Sequence, residues 1–301
     1  MTDTTADRTA RRPRVSRSER SKAVNLVLLL LATIVVLFPF LWMVSLAFTP
    51  AQDAFREVKL WPDRPTFENF MTALTVGNLG RAFVNSVIVA LAAVASNCVI
   101  AVAAGYAFAH LPFRGSTVVF YILLSTAAIP VAVTLIPLFL MVSNVPFAGG
   151  NDALGRGGSG LTDTLGGLAI PYLVGTLSIF LVRQFYLGMS RELAEAARID
   201  GASEFRIFWT VYLPISRPII AVVAIFSFTA VWDDLLWPLV VSSSPRSQTV
   251  QLALTGFTQS GNIQYAPLMA AAIIVTLPVL LVFLFNQRHF ISGLSEGAVK
   301  G

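Results

Sequence analysis

Charge is what this chain has least of. Of its 301 residues 12% are charged against 55% hydrophobic, about half the charged share of a soluble domain. That deficit excludes a water-soluble globular enzyme of this length, because a single core cannot hide so much apolar surface. One cysteine, Cys98, excludes an internal disulfide framework and any four-cysteine metal site. The two histidines, His110 and His289, stand apart without metal-ligand spacing. No Gly-x-x-x-x-Gly-Lys-Ser/Thr run occurs, so any nucleotide hydrolysis belongs to another chain. The ~10-residue alternating segments of a β-barrel are missing too, and no Ser/His/Asp or paired-carboxylate arrangement for catalysis can be read.

What is present is long apolar runs. A helix rises ~1.5 Å per residue, so about 20 mainly apolar residues cross a ~30 Å hydrocarbon layer. Six stretches qualify, near 23–48, 82–109, 116–142, 166–182, 218–241 and 266–285. Only the fifth contains charge, Asp233 and Asp234. The reading is an all-α membrane protein with six transmembrane helices over 23–286, a basic tail at 1–22 and a C-terminal tail at 287–301. The first run is longer than the roughly 7–15-residue core of a cleaved signal, so it reads as a retained anchor.

Seven of the 21 Lys and Arg residues lie in the tail. With the tail in the cytoplasm, the other inner segments hold eight and the outer loops six, and an even number of spans puts both termini inside. Beside a span, the tail reads as an anchor on anionic lipid in the bilayer rather than a nucleic-acid arm.

In the first outer loop Thr66 can cap a short helix whose Phe67, Phe70, Met71 and Leu74 share one apolar face. That face suits a membrane surface or neighbouring spans, and alternatively an outer partner. The second outer loop, 149–160, is so rich in glycine that it reads as a flexible linker.

The inner stretch 190–214, between spans four and five, carries the most signals. Ser190 can cap a first helix with Glu192 near its positive end. Gly201 suits a helix end that needs a left-handed residue. Ser203 can cap a second helix, which Pro214 is expected to stop. Phe205, Phe208, Trp209 and Tyr212 fall at i, i+3, i+4 and i+7, giving that helix one aromatic face. Ala194, Ala196 and Ala197 allow another backbone to approach. By shape alone the pair suits a connector under the membrane as well as a docking element.

The run Glu195-Ala196-Ala197-Arg198-Ile199-Asp200-Gly201-Ala202, with Pro214 twelve residues further on, resembles the signature loop of importer-type ABC permeases. Asn85-Ser86, Ala104-Gly105-Tyr106-Ala107-Phe108-Ala109, Trp232 to Leu239, and the terminal segment from Gln287 extend the resemblance over most of the chain. The sequence is similar to the six-span permease of the carbohydrate importer group, in particular the smaller membrane subunit of maltose-type systems. The Gly-rich loop and the basic tail are longer than is usual for that group.

The resemblance implies a permease subunit of an ATP-driven importer in a bacterial inner (plasma) membrane, moving a sugar or related solute inward by alternating access. Its implied partners are a homologous second permease, two copies of a cytoplasmic ATPase subunit that hold ATP and Mg, and an extracytoplasmic solute-binding protein. No cofactor and no nucleic acid is expected on this chain. ATPase coupling would rest on Glu195 as charged anchor, Ala196 and Ala197 as packed face, Gly201 as turn, and Asp200, Ala202, Phe205 and Phe208 beside them. A further ATPase contact would fall on Gly297, Ala298, Val299, Lys300 and Gly301.

Trp232, Asp233, Asp234 and Trp237 are the candidates for the solute path, since acids within a span are functional suspects. Fifteen residues above Pro218, Asp233 stands ~22 Å along the helix, beside tryptophans suited to an aromatic belt. A capping or water-facing pair is the plainer reading. The alternative is a self-sufficient secondary transporter or channel using Asp233 and Asp234 as its ion site, although no repeat is evident between the two three-span halves. Pro130, Pro137 and Pro278 are expected to kink their spans, and Cys98 to be a small packing residue.

Overall fold

A chain immersed in hydrocarbon must satisfy its backbone internally, and helices are the only regular structure among the described residues. The computed structural model describes residues 17–54, 59–75, 78–111, 113–190, 192–258 and 263–298. In order these form α1 (Arg17–Ala47), α2 (Glu68–Thr75), α3 (Leu79–His110), α4 (Ser116–Thr126), α5 (Val131–Ser143), α6 (Leu165–Ala169) and α7 (Thr176–Leu187). There follow α8 (Glu192–Ile199), α9 (Glu204–Ile215), α10 (Arg217–Trp232), α11 (Leu236–Val241), α12 (Val250–Thr255) and α13 (Tyr265–Ala298).

Four segments are long and apolar enough to cross a membrane: 24–47 in α1, α3, 165–187 through α6 and α7, and 265–285 in α13. The expected third and fifth spans are not single rods. The third is split into α4 and α5, which meet at 100°. Pro130 begins α5 from an extended conformation (ψ 136°), because proline has no N–H to continue α4 and forces the chain to restart. The expected fifth span, 218–241, ends at Trp232, and Asp233 closes α10 by donating its N–H to Thr229 O. By contrast Pro137 and Pro278 lie inside helices that continue past them.

α3 is the central rod. At one end Ala82, Val89, Ala90 and Ala93 join Trp232, Trp237 and Val275 in a buried cluster. At the other, Ala101, Val102 and Tyr106 join Ile179, Val182, Tyr186, Ile207 and Tyr212. Between the clusters, the fourth span breaks at residues 173–175, and α3 supplies what the break lacks. Ser96 donates to Leu173 O at 2.7 Å, while Asn97 donates to Tyr172 O and accepts from Gly175 N, both at 2.5 Å. In hydrocarbon those backbone groups would otherwise be left without partners.

Two loops are fixed by polar contacts that composition did not show. Thr66 does cap α2, accepting from Glu68 N at 3.1 Å, but the buried face is Asn69 and Ala73. Phe67 and Met71 are 70% and 59% exposed. The reason is polar: the Asn69 amide donates to Ala47 O and Thr49 O, carbonyls at the end of α1 that no helix bond satisfies.

The Gly-rich loop is a tight hydrogen-bonded fold, not a flexible linker. Asn151 is buried and donates to Ser143 O and Val145 O, and Asp152 Oδ1 accepts from Leu154 N and Arg156 N. A Cβ on Gly160 would stand 2.4 Å from two carbonyl oxygens of α5. Glycine is used here because strands of backbone cross at close range.

Candidate functional site

α8 and α9 form a helical hairpin at the end of the bundle where α3 finishes. Glu192 N donates to Ser190 Oγ, and Arg206 N to Ser203 Oγ, so both expected caps are in place. Gly201 (φ +78°) ends α8; its N–H reaches Arg198 O at 3.0 Å and that of Ala202 reaches Ala197 O at 3.0 Å. This pair of bonds, six-to-one and five-to-two, is the Schellman closure that needs a left-handed residue.

An ion pair ties the two limbs. Arg198 Nε stands 2.6 Å from Glu204 Oε1 and its Nη2 3.2 Å from Oε2, and Tyr106 of α3 donates to Oε2 at 3.0 Å. The Arg198 guanidinium first, then the Tyr106 hydroxyl, hold the Glu204 carboxyl below the usual carboxylate range. Tyr106 also lies 5.0–5.1 Å, centroid to centroid, from Tyr212 and Phe208. Behind it, a Cβ on Gly105 would meet Val182 Cγ1 at 2.6 Å, so glycine sets how closely α3 and α7 approach.

The expected single aromatic face of α9 divides in two. Tyr212 is buried and Phe208 packs with it, whereas Phe205 and Trp209 are exposed, their rings 5.9 Å apart. Pro214 does not stop this helix, which runs on to Ile215 and then bends by 74° into α10. The backbone widens to π geometry over Phe208–Tyr212, two to six residues ahead of Pro214's missing donor.

Among the alanines, Ala194 is buried and Ala197 half-buried, while Ala196 faces out with Glu195, Asp200 and Gly201; Ala202 is half-buried. Sequence reasoning missed Ile199, which is 87% exposed at the hairpin tip beside Phe205 at 72%. Its signal was available: an isoleucine in the last turn of a short helix, directly before Asp-Gly, has no core left to enter. Arg198, Glu204 and Tyr106 were also missed, since only the turn at Gly201 brings residues six apart together.

At mid-height a cavity of about 440 Å³ opens between the broken fourth span and α10, lined by Asn97, Tyr172, Gly175, Ser178, Ser227 and Asp233 among others. Asp233 borders it, but Asp234 turns away, capping α11 through Leu236 N at 2.8 Å and accepting a short hydrogen bond from Tyr172. Both acids thus sit at a helix break and not within a rod. Trp232 and Trp237 are buried and donate to Val275 O and Gly167 O, so they pack helices together instead of standing in an aromatic belt.

At the far end of the chain, α13 continues past the sixth span through Gly297 and Ala298, so 287–298 is helical. Val299, Lys300 and Gly301 lie outside the described residues.

Residues 99–296, which include the hairpin and the cavity's α10 wall, match the family described as binding-protein-dependent transport system inner membrane component. The chain belongs to this family. It is a multi-pass membrane permease, a transport component and not itself an enzyme. It is similar to the diacetylchitobiose uptake system permease protein NgcG of Streptomyces coelicolor, 30% identical with 96% of this chain and 92% of that one covered. It is also similar to the arabinooligosaccharides transport system permease protein AraQ of Halalkalibacterium halodurans, 32% identical over 89% of this chain and 92% of that one. Its fold is shared with a bacterial ABC transporter involved in the import of the acidic polysaccharide alginate, at a TM-score of 0.76 and 22% identity, covering 93% of this chain and all of that one.

Proposed function

We propose that this permease carries a sugar or oligosaccharide inward as one half of an ABC importer's membrane pore. In this reading a homologous second permease completes the pore, an extracytoplasmic binding protein delivers the solute, and two cytoplasmic ATPase subunits, which bind the ATP and Mg, drive the cycle. The hairpin end and both termini face the cytoplasm. The saccharide class is supported by the relatives, whose names are those of diacetylchitobiose and arabinooligosaccharide permeases.

The observation that carries the reading is the hairpin itself. Its tip exposes Ile199 and Phe205, each worth about 1.5–3 kcal/mol if buried in a partner's cleft. Its stem is locked by the Gly201 closure and the Arg198–Glu204 pair. A locked hairpin moves as a body, so a push on the tip reaches α3 through Tyr106 and α10 through α9. Glu195 and Asp200, exposed beside the tip, supply charge at the rim of such a cleft.

Affinity purification from detergent-solubilised membranes is expected to bring down stoichiometric ATPase subunits, and reconstituted vesicles to accumulate sugar only with ATP. Uptake driven by a proton gradient and indifferent to ATP would overturn this in favour of a secondary transporter built on Asp233 and Asp234.

A further inference from the structure

The mid-height cavity contains polar groups that the fold leaves unused. Asn97 and Ser96 spend their polar atoms on the broken fourth span, and Tyr172 gives its hydroxyl to Asp234. On the α10 wall two groups remain. Ser227 is 6% exposed, and its Oγ makes no hydrogen bond among the described residues. A buried hydroxyl in that state is costly unless something else satisfies it. Asp233 borders the same space, and among the described residues neither a cation nor a donor is paired with its carboxylate.

Phe226, Ala230 and Asp233 recur along α10 at i, i+4 and i+7, so the carboxylate and an aromatic ring share one face. Opposite them stand Pro171, Val174 and Leu177. The volume falls within the roughly 300–1,000 Å³ usual for small-molecule sites. Asn97 lies near the middle of the 32-residue α3, so the cavity sits about midway along the central rod.

We propose that this cavity is a saccharide subsite on the translocation path. Asp233 accepts hydrogen bonds from sugar hydroxyls or from an amino-sugar ammonium, Ser227 and Ser178 complete the polar set, and the apolar wall takes the C–H face of the ring. The assignment rests on the saccharide-permease reading above and adds a charge filter. A carboxylate at the cavity with no cation paired to it among the described residues admits neutral and amino sugars and repels uronic acids.

The test uses the complete transporter in vesicles. Radiolabelled arabinobiose, lactose and N,N′-diacetylchitobiose serve as neutral probes and digalacturonate as the acidic one. For the neutral probe that the wild type imports, Asp233→Asn is expected to raise KM about 10-fold with the maximal rate little changed, and to raise digalacturonate uptake about 10-fold. Ser227→Ala is expected to raise KM about 3-fold. Abundance in the membrane and basal ATP hydrolysis of the purified complex report folding; if Asp233→Asn does not reach the membrane, Ser227→Ala and Ser178→Ala carry the test. Neutral uptake with unaltered KM in the variants, and unchanged exclusion of digalacturonate, overturns the subsite alone. Absence of ATP-dependent import of any neutral probe by the wild type overturns the saccharide reading and the subsite with it.

Discussion

Arg198 and Glu204 face each other across Gly201 at 2.6 Å, and the same carboxylate accepts the Tyr106 hydroxyl at 3.0 Å. One side chain therefore joins both limbs of the hairpin to the central rod of the bundle. An exposed pair of this kind adds only about 0.2–1 kcal/mol to stability, so its larger effect is on which elements move together.

Glu204→Gln keeps the side chain's size and removes its charge. The permease is expected to reach the membrane at wild-type levels, while uptake falls about 3- to 30-fold. In a double-mutant cycle, Arg198→Ala and Glu204→Ala are expected to be strongly non-additive in uptake. Additive losses would show that the pair does not act as a unit.

At Gly201 no atom lies within 4 Å of an added Cβ, but φ is +78°. The penalty for substitution is therefore conformational and not steric. Gly201→Asn, which tolerates the left-handed region, should retain most uptake. Gly201→Val should lose most of it with the protein still in the membrane, as immunoblot and transport assays of the two variants together will report. Equal uptake by both would refute a role for the turn, and Glu195→Lys at the rim is expected to impair transport with the same intact localisation.

The α3–α7 contact gives a packing prediction. Gly105→Ala drives a methyl group into Val182 and should cost about 1–3 kcal/mol, seen as a lower melting temperature in detergent. Adding Val182→Ala opens the space again and should restore part of the loss. If the second change lowers the melting temperature further by its full single-mutant cost, the contact is not tight.

Asp163 supplies a pH prediction at the other end of the molecule. Burial pushes its carboxyl up, but hydrogen bonds from Ser247 and from the backbone of Ser243 and Ser244 outweigh this and hold it below the usual range. A carboxylate with a depressed folded pKa stabilises fully above its unfolded value of about 3.9, and that stabilisation is lost as pH falls through the folded value. Melting temperature should thus drop as pH falls through and below about 4, and Asp163→Asn should flatten that slope. Asparagine is the apt substitution because φ here is +58°.

The caps at Ser190, Ser203 and Gly201 and the existence of the hairpin were legible because they depend on neighbours in sequence. Thr66 likewise announced α2. The contact that fixes its other face was not legible: Asn69 was selected by carbonyls about twenty residues away, while Phe67 and Met71 stay exposed, as a face meant for a membrane surface or an outer partner would. Glycines 149–160 misled for the opposite reason. Composition reports what a backbone is free to do, and here crossing segments use that freedom to pack.

From its amino acids alone this chain had to be helical and membrane-embedded, since runs of about 20 apolar residues have one way to satisfy their backbone in lipid. Turn chemistry within 190–214 was equally local. Only the tertiary structure decided where the rods break, that Asp234 is spent on a cap while Asp233 is not, and that Tyr106 reaches Glu204 from 98 residues away. Such pairings depend on which helices lie side by side, and no spacing along the chain encodes that.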